Sequence, residues 1–555
     1  MERYEDAVTS YDKAIDIKPD GYGVWNNRGN ALDLLQRYEE ALLSYEKAIE
    51  IKPDEYGAWY NRGIVLENLE KYIEALASYN KAIEIKPNAY ESWNNRGNVL
   101  RTLKRYEEAL SSYEKAIEIK PNEYIACKNL GIVQDYLARY EEAIASYDKA
   151  IEIKPDYYDA WSHRGLAQEC LDKHEDAVAS YNKAIEIKPD DWYVWNNRGV
   201  SLASLQRYEE ALASYNKAVE IKLNGYGAWN NRGNTLRDLK RYEEALASYN
   251  KAVEIKPDNY GVWNSRGLTL ANLQRYEEAL ASYNKSIEIK PNFAYAWYNR
   301  GLALANLEKY EEAIISFDKA IKFNPNDKRA WEKRANVLEE LKRYEEALLS
   351  LNKIIELDPH YKSAWGSRSW ALINLEQYEE ALISCEKAIS LGENEHYVLA
   401  NRAIAFAGLN RWEESLIALE DALKILDEGK QASSEDTELI LRILFTSIAQ
   451  TDVYKNVIES LVKLFDKYNC STVLSQSLVR NIPVFMSEMA SDEAVKMWLD
   501  VWRQLYGDLS EFQISLRLVN TAYRYRQSKG DRRVLLELPV EERNLLEEVL
   551  EISKN

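Results

Sequence analysis

The 555-residue sequence lacks several features that mark common classes of protein. Its 4 cysteines lie at unrelated spacings, which favours neither a disulfide framework nor a zinc ribbon. No stretch approaches the ~18 apolar residues of a membrane-spanning helix, and the first residues carry no basic-then-apolar signal. Basic charge is also in deficit, since 72 Lys and Arg stand against 91 Asp and Glu. We therefore expect a cytoplasmic protein with no membrane and no nucleic acid among its partners.

Glycine, proline and phenylalanine are scarce, and two other aromatic residues are abundant instead. Against 21 Gly, 12 Pro and 8 Phe there are 40 Tyr and 15 Trp. Most of the tryptophans lie on one 34-residue lattice: Trp25, Trp59, Trp93, Trp161, Trp195, Trp229, Trp263, Trp297, Trp331 and Trp365. Cys127 and Leu399 occupy the two vacant lattice points. Such a period indicates an array of repeats and not a single hydrophobic core.

Each repeat contains two amphipathic helical patterns. In the repeat that begins at residue 22, apolar and small residues recur at steps of 3 and 4 from residue 25 to 35 and again from 38 to 48. Gly29 lies in the first pattern, where glycine costs about 1 kcal/mol relative to alanine. Its recurrence predicts that the two helices approach too closely for a Cβ. The segment 50–54, Glu-Ile-Lys-Pro-Asp, predicts a helix end, and Asp54 is expected to cap the next helix.

With tryptophan, glycine, tyrosine, alanine and proline at these offsets, the sequence resembles the tetratricopeptide repeat family over roughly residues 1–429. The resemblance implies an all-α, right-handed superhelix (a solenoid) of about twelve helix-turn-helix repeats, with a concave groove lined by the first helices. The expected organisation is a half repeat at 1–21, twelve repeats at 22–429, a linker at 430–437 and a C-terminal helical capping or docking domain at 438–555. Because the half repeat is a second helix alone, self-association there and a preceding domain both stay open.

One slot of the first helix is the main candidate for ligand binding, because in the family this face lines the groove. The slot holds Asn27, Asn61, Asn95, Asn129, His163, Asn197, Asn231, Ser265 and Asn299. A carboxamide offers both a donor and an acceptor, so one asparagine can pair with both groups of a peptide unit. The resemblance implies that such a row holds an extended peptide. The alternative, that these asparagines only bond neighbouring helices or water, stays open.

Two basic rows and one histidine–cysteine group have competing interpretations. Arg28 and Arg37 each have counterparts in most repeats, either as a phosphate track or, as we favour, as inter-repeat ion pairs and aromatic stacking. His163, Cys170 and His174 share one repeat, but zinc requires four ligands at close range. We expect no metal and no cofactor.

The sequence predicts a non-enzymatic scaffold or adaptor that binds a protein or an extended peptide in the groove. Residues 438–555 contain no phosphate loop, no histidine and no nucleophile with a base nearby in sequence. A second hypothesis is that the chain is the sensor arm of a larger signalling ATPase or effector protein. The half repeat at residues 1–21 suggests this alternative.

Overall fold

The computed structural model describes residues 2–393, 395–429 and 531–549, with scattered residues from 513 to 528. The described residues form α-helices joined by short turns and one 3-10 helix, without a strand. The expected linker at 430–437 lies outside the described residues, as does most of the helical domain expected at 438–555.

The first of two compact units comprises Met1–Leu273. Its first helices are α2 (Tyr22–Leu34), α4 (Tyr56–Asn68), α6 (Tyr90–Thr102), α8 (Tyr124–Tyr136), α10 (Tyr158–Cys170), α12 (Trp192–Ser204), α14 (Tyr226–Asp238) and α16 (Tyr260–Asn272). Its second helices are α1 (Glu2–Ile17), α3 (Tyr38–Ile51), α5 (Tyr72–Ile85), α7 (Tyr106–Ile119), α9 (Tyr140–Ile153), α11 (His174–Ile187), α13 (Tyr208–Ile221) and α15 (Tyr242–Ile255). The helices thus recur with the 34-residue period of the sequence.

The second compact unit comprises Gln274–Asn555. Its first helices are α18 (Ala294–Asn306), α20 (Lys328–Glu340), α22 (Lys362–Asn374) and α24 (His396–Gly408). Its second helices are α17 (Tyr276–Ile289), α19 (Tyr310–Phe323), α21 (Tyr344–Leu357), α23 (Tyr378–Ser390) and α25 (Trp412–Gly429). A 3-10 helix (Arg532–Glu537) and α26 (Val540–Val549) follow, and α26 begins directly after Pro539, a residue that suits the start of a helix. None of the helices that the structure describes combines the length and apolar character needed to cross a bilayer.

Within each unit the helices stack in a single series. A first helix packs on the second helix of its own repeat and on that of the preceding repeat, as α4 packs on α5 and α3. First helices of neighbouring repeats also contact each other, as α2 contacts α4 and α22 contacts α24. No two second helices of the described repeats pack on each other in this way. The all-α solenoid predicted from the sequence is therefore confirmed.

A glycine and an aromatic ring set the distance between the two helices of a repeat. A Cβ on Gly97 would lie 2.7 Å from Cε1 of the buried Tyr113, so the ring occupies the place of the missing side chain. The same contact joins Gly29 to Tyr45, Gly63 to Tyr79, Gly131 to Tyr147, Gly165 to Tyr181, Gly199 to Tyr215, Gly233 to Tyr249 and Gly301 to Phe317. Where the facing residue is the smaller Leu351, alanine is found instead, at Ala335. The prediction of an approach too close for a Cβ is confirmed.

The turns between repeats depart from one expectation. The N-cap of α4 is Glu55, and its side chain makes no capping hydrogen bond, so the prediction that Asp54 caps this helix is wrong. The proline turn ends one residue later than expected, which places Asp54 too early to reach the free N–H groups. Trp59 Nε1 instead donates to the carbonyl oxygen of Pro53 at 2.8 Å and ties the turn to the helix. Side chains do cap three other first helices, at Asp191, Asn259 and Asp327.

The turn inside each repeat is left-handed and lacks glycine. Gln36, just past the C-cap of α2, has φ of 60°. Its N–H donates to Asp33 O at 2.9 Å, and the N–H of Arg37 donates to Leu32 O at 2.9 Å, which is a Schellman motif. The same sign of φ recurs at Glu70, Lys104, Ala138, Asp172, Gln206, Lys240, Gln274, Glu308, Lys342, Glu376 and Asn410. The helix pair thus depends on a conformation that costs a non-glycine residue free energy.

Candidate functional site

The candidate site is one side of the first helices, which we call the first-helix face. It consists of the residues at the positions of Asn26, Asn27, Asn30 and Asp33 in α2 and their equivalents in the other first helices. Helical periodicity places these positions together on one side of the helix. The asparagine row predicted from the sequence runs along this face.

In the first unit, most of the asparagine row reaches back to the preceding repeat. Asn61 Nδ2 donates to Asn30 Oδ1 at 2.8 Å and lies 3.5 Å from Asn26 Oδ1. Equivalent bonds join Asn129 to Asn94 and Asn98, Asn231 to Asn196, and Asn95 to the hydroxyl of Tyr60. The row is therefore a set of carboxamide links between repeats.

The remaining predicted site residues have different surroundings. Asn27 is exposed, whereas Asn197 is only 8% exposed. Asn197 Oδ1 accepts a hydrogen bond from Asn196 Nδ2 at 3.2 Å, but Asn197 Nδ2 has no partner within the described part of the chain. The preceding repeat carries Ser162 and Leu166 at the positions of Asn94 and Asn98, so the usual amide acceptors are missing. Asn129 and Asn299 are also buried, and Ser265 is half-buried.

The buried tyrosine hydroxyls take their acceptors from the first-helix face, a relationship that sequence reasoning missed. Where the Asn30 position holds asparagine, the tyrosine uses it, as Tyr113 donates to Asn98 Oδ1 at 2.8 Å. Where that position is apolar, a carboxylate one turn further accepts, as Tyr147 donates to Asp135 Oδ2 at 2.5 Å. The other pairs are Tyr45–Asn30, Tyr249–Asn234, Tyr79–Glu67 and Tyr181–Glu169. Every one of these hydroxyls thereby avoids the cost of burial without a partner.

The carboxyl groups on this face have raised pKa values. Burial raises the pKa of Asp135 to about 6, and it also raises the pKa of Glu67 and of Glu169. Burial, aided by the neighbouring charge of Glu340, raises the pKa of Glu339 to about 7. Glu339 Oε1 has no hydrogen-bond partner among the residues that the structure describes. This carboxyl is therefore divided between its neutral and charged forms near pH 7.

The row of arginines that includes Arg28 clamps neighbouring repeats together. Arg198 Nη1 donates to Ser214 Oγ at 2.6 Å and Nε donates to Asn182 Oδ1 at 2.7 Å. The guanidinium also lies 5.8 Å from the centre of the Trp195 ring, and burial lowers its pKa. In the second basic row, Arg207 pairs with Glu210 three residues on. In other repeats the residue bonded by Nε of the first row is a carboxylate, as Arg164 pairs with Asp148 of the preceding repeat at 2.6 Å. The expected inter-repeat ion pairs and aromatic stacking are therefore both observed.

The histidine–cysteine group of the fifth repeat is dispersed among other contacts. His163 stacks on Tyr147 with ring centres 5.8 Å apart, and burial lowers the pKa of His163. Cys170 is exposed, and His174 Nε2 lies 3.9 Å from Asp172. In the part of the chain that the structure describes, no three His, Cys, Asp or Glu residues are grouped to hold a metal ion.

Family models of the tetratricopeptide repeat match most of the chain outside its last third. One model matches residues 23–55, 56–89, 90–123, 158–191, 192–224, 226–259 and 294–327. Related models, also described as tetratricopeptide or TPR repeats, match 138–170, 267–308, 248–281, 316–348 and 363–394. Taken together the matches cover well over half of the sequence.

Solved structures with similar repeats include YrrB, described as a TPR protein with an unusual peptide-binding site. It is 27% identical, with a TM-score of 0.31, and the match covers 34% of this chain and 96% of YrrB. MamA from Desulfovibrio magneticus RS-1 is 24% identical, with a TM-score of 0.29 and coverage of 30% and 95%. PilF of Pseudomonas aeruginosa is 21% identical, with a TM-score of 0.33 and coverage of 36% and 92%.

No curated protein matches the sequence. Because these TM-scores are low, the classification rests on the repeats themselves. Their helix pairs, glycine–aromatic contacts and family-model matches all indicate the same family. Repeats of this kind typically form non-catalytic scaffolds for protein interactions. On these grounds the chain belongs to the tetratricopeptide repeat family.

Proposed function

We propose that this protein is a non-catalytic scaffold that binds an extended peptide segment of a partner protein on its first-helix face. The candidate contacts are Asn27, Asn61, Asn95, Asn129, His163, Asn197, Asn231, Ser265 and Asn299. Interaction scaffolding is the general property of such repeats, and the peptide and these contacts are the specific part of the proposal.

The packing of the helices supports this choice of face. Because neighbouring first helices pack on each other at several places along a unit, whereas neighbouring second helices do not approach as closely in the part of the chain that the structure describes, the first helices lie closer together. A stack bends toward its closer-spaced side, so the first-helix face is the inner side of each unit. An inner face that continues over many repeats suits a partner in extended conformation.

The observation that carries the proposal is the partial use of the carboxamides. Nδ2 of Asn61 donates a hydrogen bond to the preceding repeat, and Oδ1 of Asn61 has no partner among the described residues. A carboxamide has two N–H donors and an oxygen with two acceptor sites, so one internal bond leaves most of its capacity. That internal bond also holds the group in one orientation, which lowers the entropy cost of binding a peptide.

The test is affinity capture with the full chain from a native lysate, followed by binding of synthetic peptides from the captured proteins. A triple variant carries Asn95→Ala, Asn197→Ala and Asn231→Ala. We expect it to lose captured proteins and to bind their peptides at least tenfold more weakly, because each asparagine contributes one or two hydrogen bonds.

A matched control removes three asparagines from second helices of the same unit. Asn182→Ala, Asn216→Ala and Asn250→Ala each delete one hydrogen bond from an arginine. These changes remove contacts between repeats, as the first variant does, but they leave the side chains of the first-helix face unchanged. Thermal unfolding of both triple variants shows whether the fold is retained. The groove hypothesis is wrong if the partner list and peptide affinities of the first variant equal those of the wild type.

A further inference from the structure

Four large aliphatic residues form an exposed row on the second helices of the second unit. Ile315, Leu349, Ile383 and Ile417 occupy the same position in α19, α21, α23 and α25. Their exposed fractions are 56%, 67%, 63% and 60%. We call these four residues the outer stripe. They belong to successive repeats, so they line one side of the unit without a break.

The fold does not require large apolar side chains at this position. The equivalent residues of the preceding repeats are Leu43, Ala77, Ser111, Ala145, Ala179, Ala213, Ala247 and Ala281. Apart from Leu43 all are small, and these repeats adopt the same helical structure. Consecutive exposed apolar residues that packing does not need are typical of a surface that is covered in an assembly.

Charges of opposite sign flank the outer stripe. On its N-terminal side each helix carries two glutamates: Glu311 and Glu312, Glu345 and Glu346, Glu379 and Glu380, Glu413 and Glu414. On its C-terminal side lie Lys319, Lys353 and Lys387, and Asp421 replaces the lysine in α25. The order along three of the four helices is therefore acidic, apolar, basic.

Two of these lysines lack the partner that other repeats provide. Lys251 and Lys285 pair with the glutamates three residues further on, at 2.8 and 2.7 Å. The corresponding residues after Lys319 and Lys387 are a lysine and a serine. Neither Lys319 nor Lys387 makes an ion pair with any residue that the structure describes. Their charge is available to an external carboxylate.

We propose that the outer stripe binds a second copy of this chain, docked about a two-fold axis. Such an axis runs along the outer stripe in the plane of the interface, sets each second helix antiparallel to the same helix of the other copy and packs the two stripes on each other. The same operation places Lys387 of one copy opposite Glu379 of the other, and Lys319 opposite Glu311. A self-complementary surface of this kind is what an isologous dimer needs. Anionic lipid is disfavoured, since the glutamates repel it.

This inference does not depend on the proposed peptide binding at the first-helix face. The oligomeric state of the full chain tests it. Sedimentation velocity over a range of concentrations is expected to show a monomer–dimer equilibrium. Changing Ile315, Leu349, Ile383 and Ile417 together to alanine should weaken the dimer at least tenfold. The variant retains its fold because alanine is the residue that most other repeats carry there. Leu43→Ala, at the same position outside the stripe, should leave the equilibrium unchanged.

Charge exchange tests the two-fold arrangement. One variant carries Lys319→Glu and Lys387→Glu, and a second carries Glu311→Lys and Glu379→Lys. Each alone should dimerise more weakly, because like charges then face each other, and an equimolar mixture of the two should form mixed dimers. A wild type that stays monomeric at all concentrations, a quadruple alanine variant that dimerises normally, or a mixture that fails to recover association would each overturn the proposal.

Discussion

The hydroxyl of Tyr79 donates a hydrogen bond to Oε1 of Glu67 across the two helices of one repeat. Glu339 occupies the position of Glu67 eight repeats later, but Leu351 stands where the tyrosine would be. Oε1 of Glu339 therefore has no partner among the described residues, and burial raises the pKa of Glu339 to about 7. Because the second helix lacks this donor, the protonation of one carboxyl on the first-helix face changes near neutral pH.

Glu339 should make its repeat less stable as the pH rises. Between about pH 4.5, where the unfolded side chain titrates, and about pH 7, the native state binds the proton more tightly than the unfolded chain does. The free energy of local unfolding should therefore fall across that window, by about 3 kcal/mol, and stay low above it. Amide hydrogen exchange in α20 and α21 at pH 5 and pH 8, corrected for intrinsic rates, measures the decrease.

Glu339→Gln should remove most of this pH dependence, because the amide does not ionise. The control is Glu340→Gln, which deletes an exposed charge and should leave most of the dependence in place, since burial is the larger cause of the shift. Equal pH profiles for the wild type and Glu339→Gln would show that the carboxyl is already satisfied.

Restoring the tyrosine should restore the missing donor. Because Ala335 faces Leu351 where other repeats pair glycine with tyrosine, the replacement needs both Ala335→Gly and Leu351→Tyr. The double variant should lower the pKa of Glu339 and be more stable at pH 8 by about 1 kcal/mol than a control with Ala335→Gly and Leu351→Phe. The comparison isolates the hydroxyl, because the two rings otherwise fill the same space. Identical stabilities at pH 8 would contradict the assignment.

Glycine-to-alanine substitutions should have opposite effects at two positions of the first helices. Gly97→Ala places a Cβ 2.7 Å from the ring of Tyr113 and should destabilise the repeat by about 1–3 kcal/mol. Gly57→Ala meets nothing within 4 Å and should stabilise by up to about 1 kcal/mol. Adding Tyr113→Leu to Gly97→Ala should recover part of the loss, since alanine already faces leucine in the tenth repeat. Urea denaturation measures all three, and equal losses for both glycines would refute the steric explanation.

The array and its helix pairs could be predicted because their causes lie inside one 34-residue repeat. The position of Gly97 opposite Tyr113 follows from helical spacing and from the need to offset the cost of glycine. The pairing of Arg198 with Trp195 follows in the same way from residues three apart on one helix.

The carboxamide links could not be predicted in detail, because they depend on what the preceding repeat offers. Asn61 finds an acceptor in Asn30, whereas Asn197 meets Ser162 and Leu166 and leaves its Nδ2 unpaired. The prediction that Asp54 caps α4 was wrong for a different reason. A shift of one residue in the proline turn places Asp54 out of reach of the free N–H groups of the helix. Such features depend on ångström-scale placement that periodicity does not determine.

The left-handed turn inside each repeat gives the last prediction, because no glycine marks it in the sequence. Ala138 has φ of 57° at the end of α8, a conformation that costs a residue with a Cβ about 1 kcal/mol and glycine much less. Ala138→Gly should therefore stabilise the fourth repeat, although glycine also gives the unfolded chain more freedom and reduces the gain. The matched control is Gly392→Ala at the end of α23, where φ of 86° already suits glycine and the substitution should destabilise. Hydrogen exchange of the amides in α8 and α23 reports each change locally. Destabilisation by Ala138→Gly would mean that unfolded-chain entropy outweighs backbone strain at this turn.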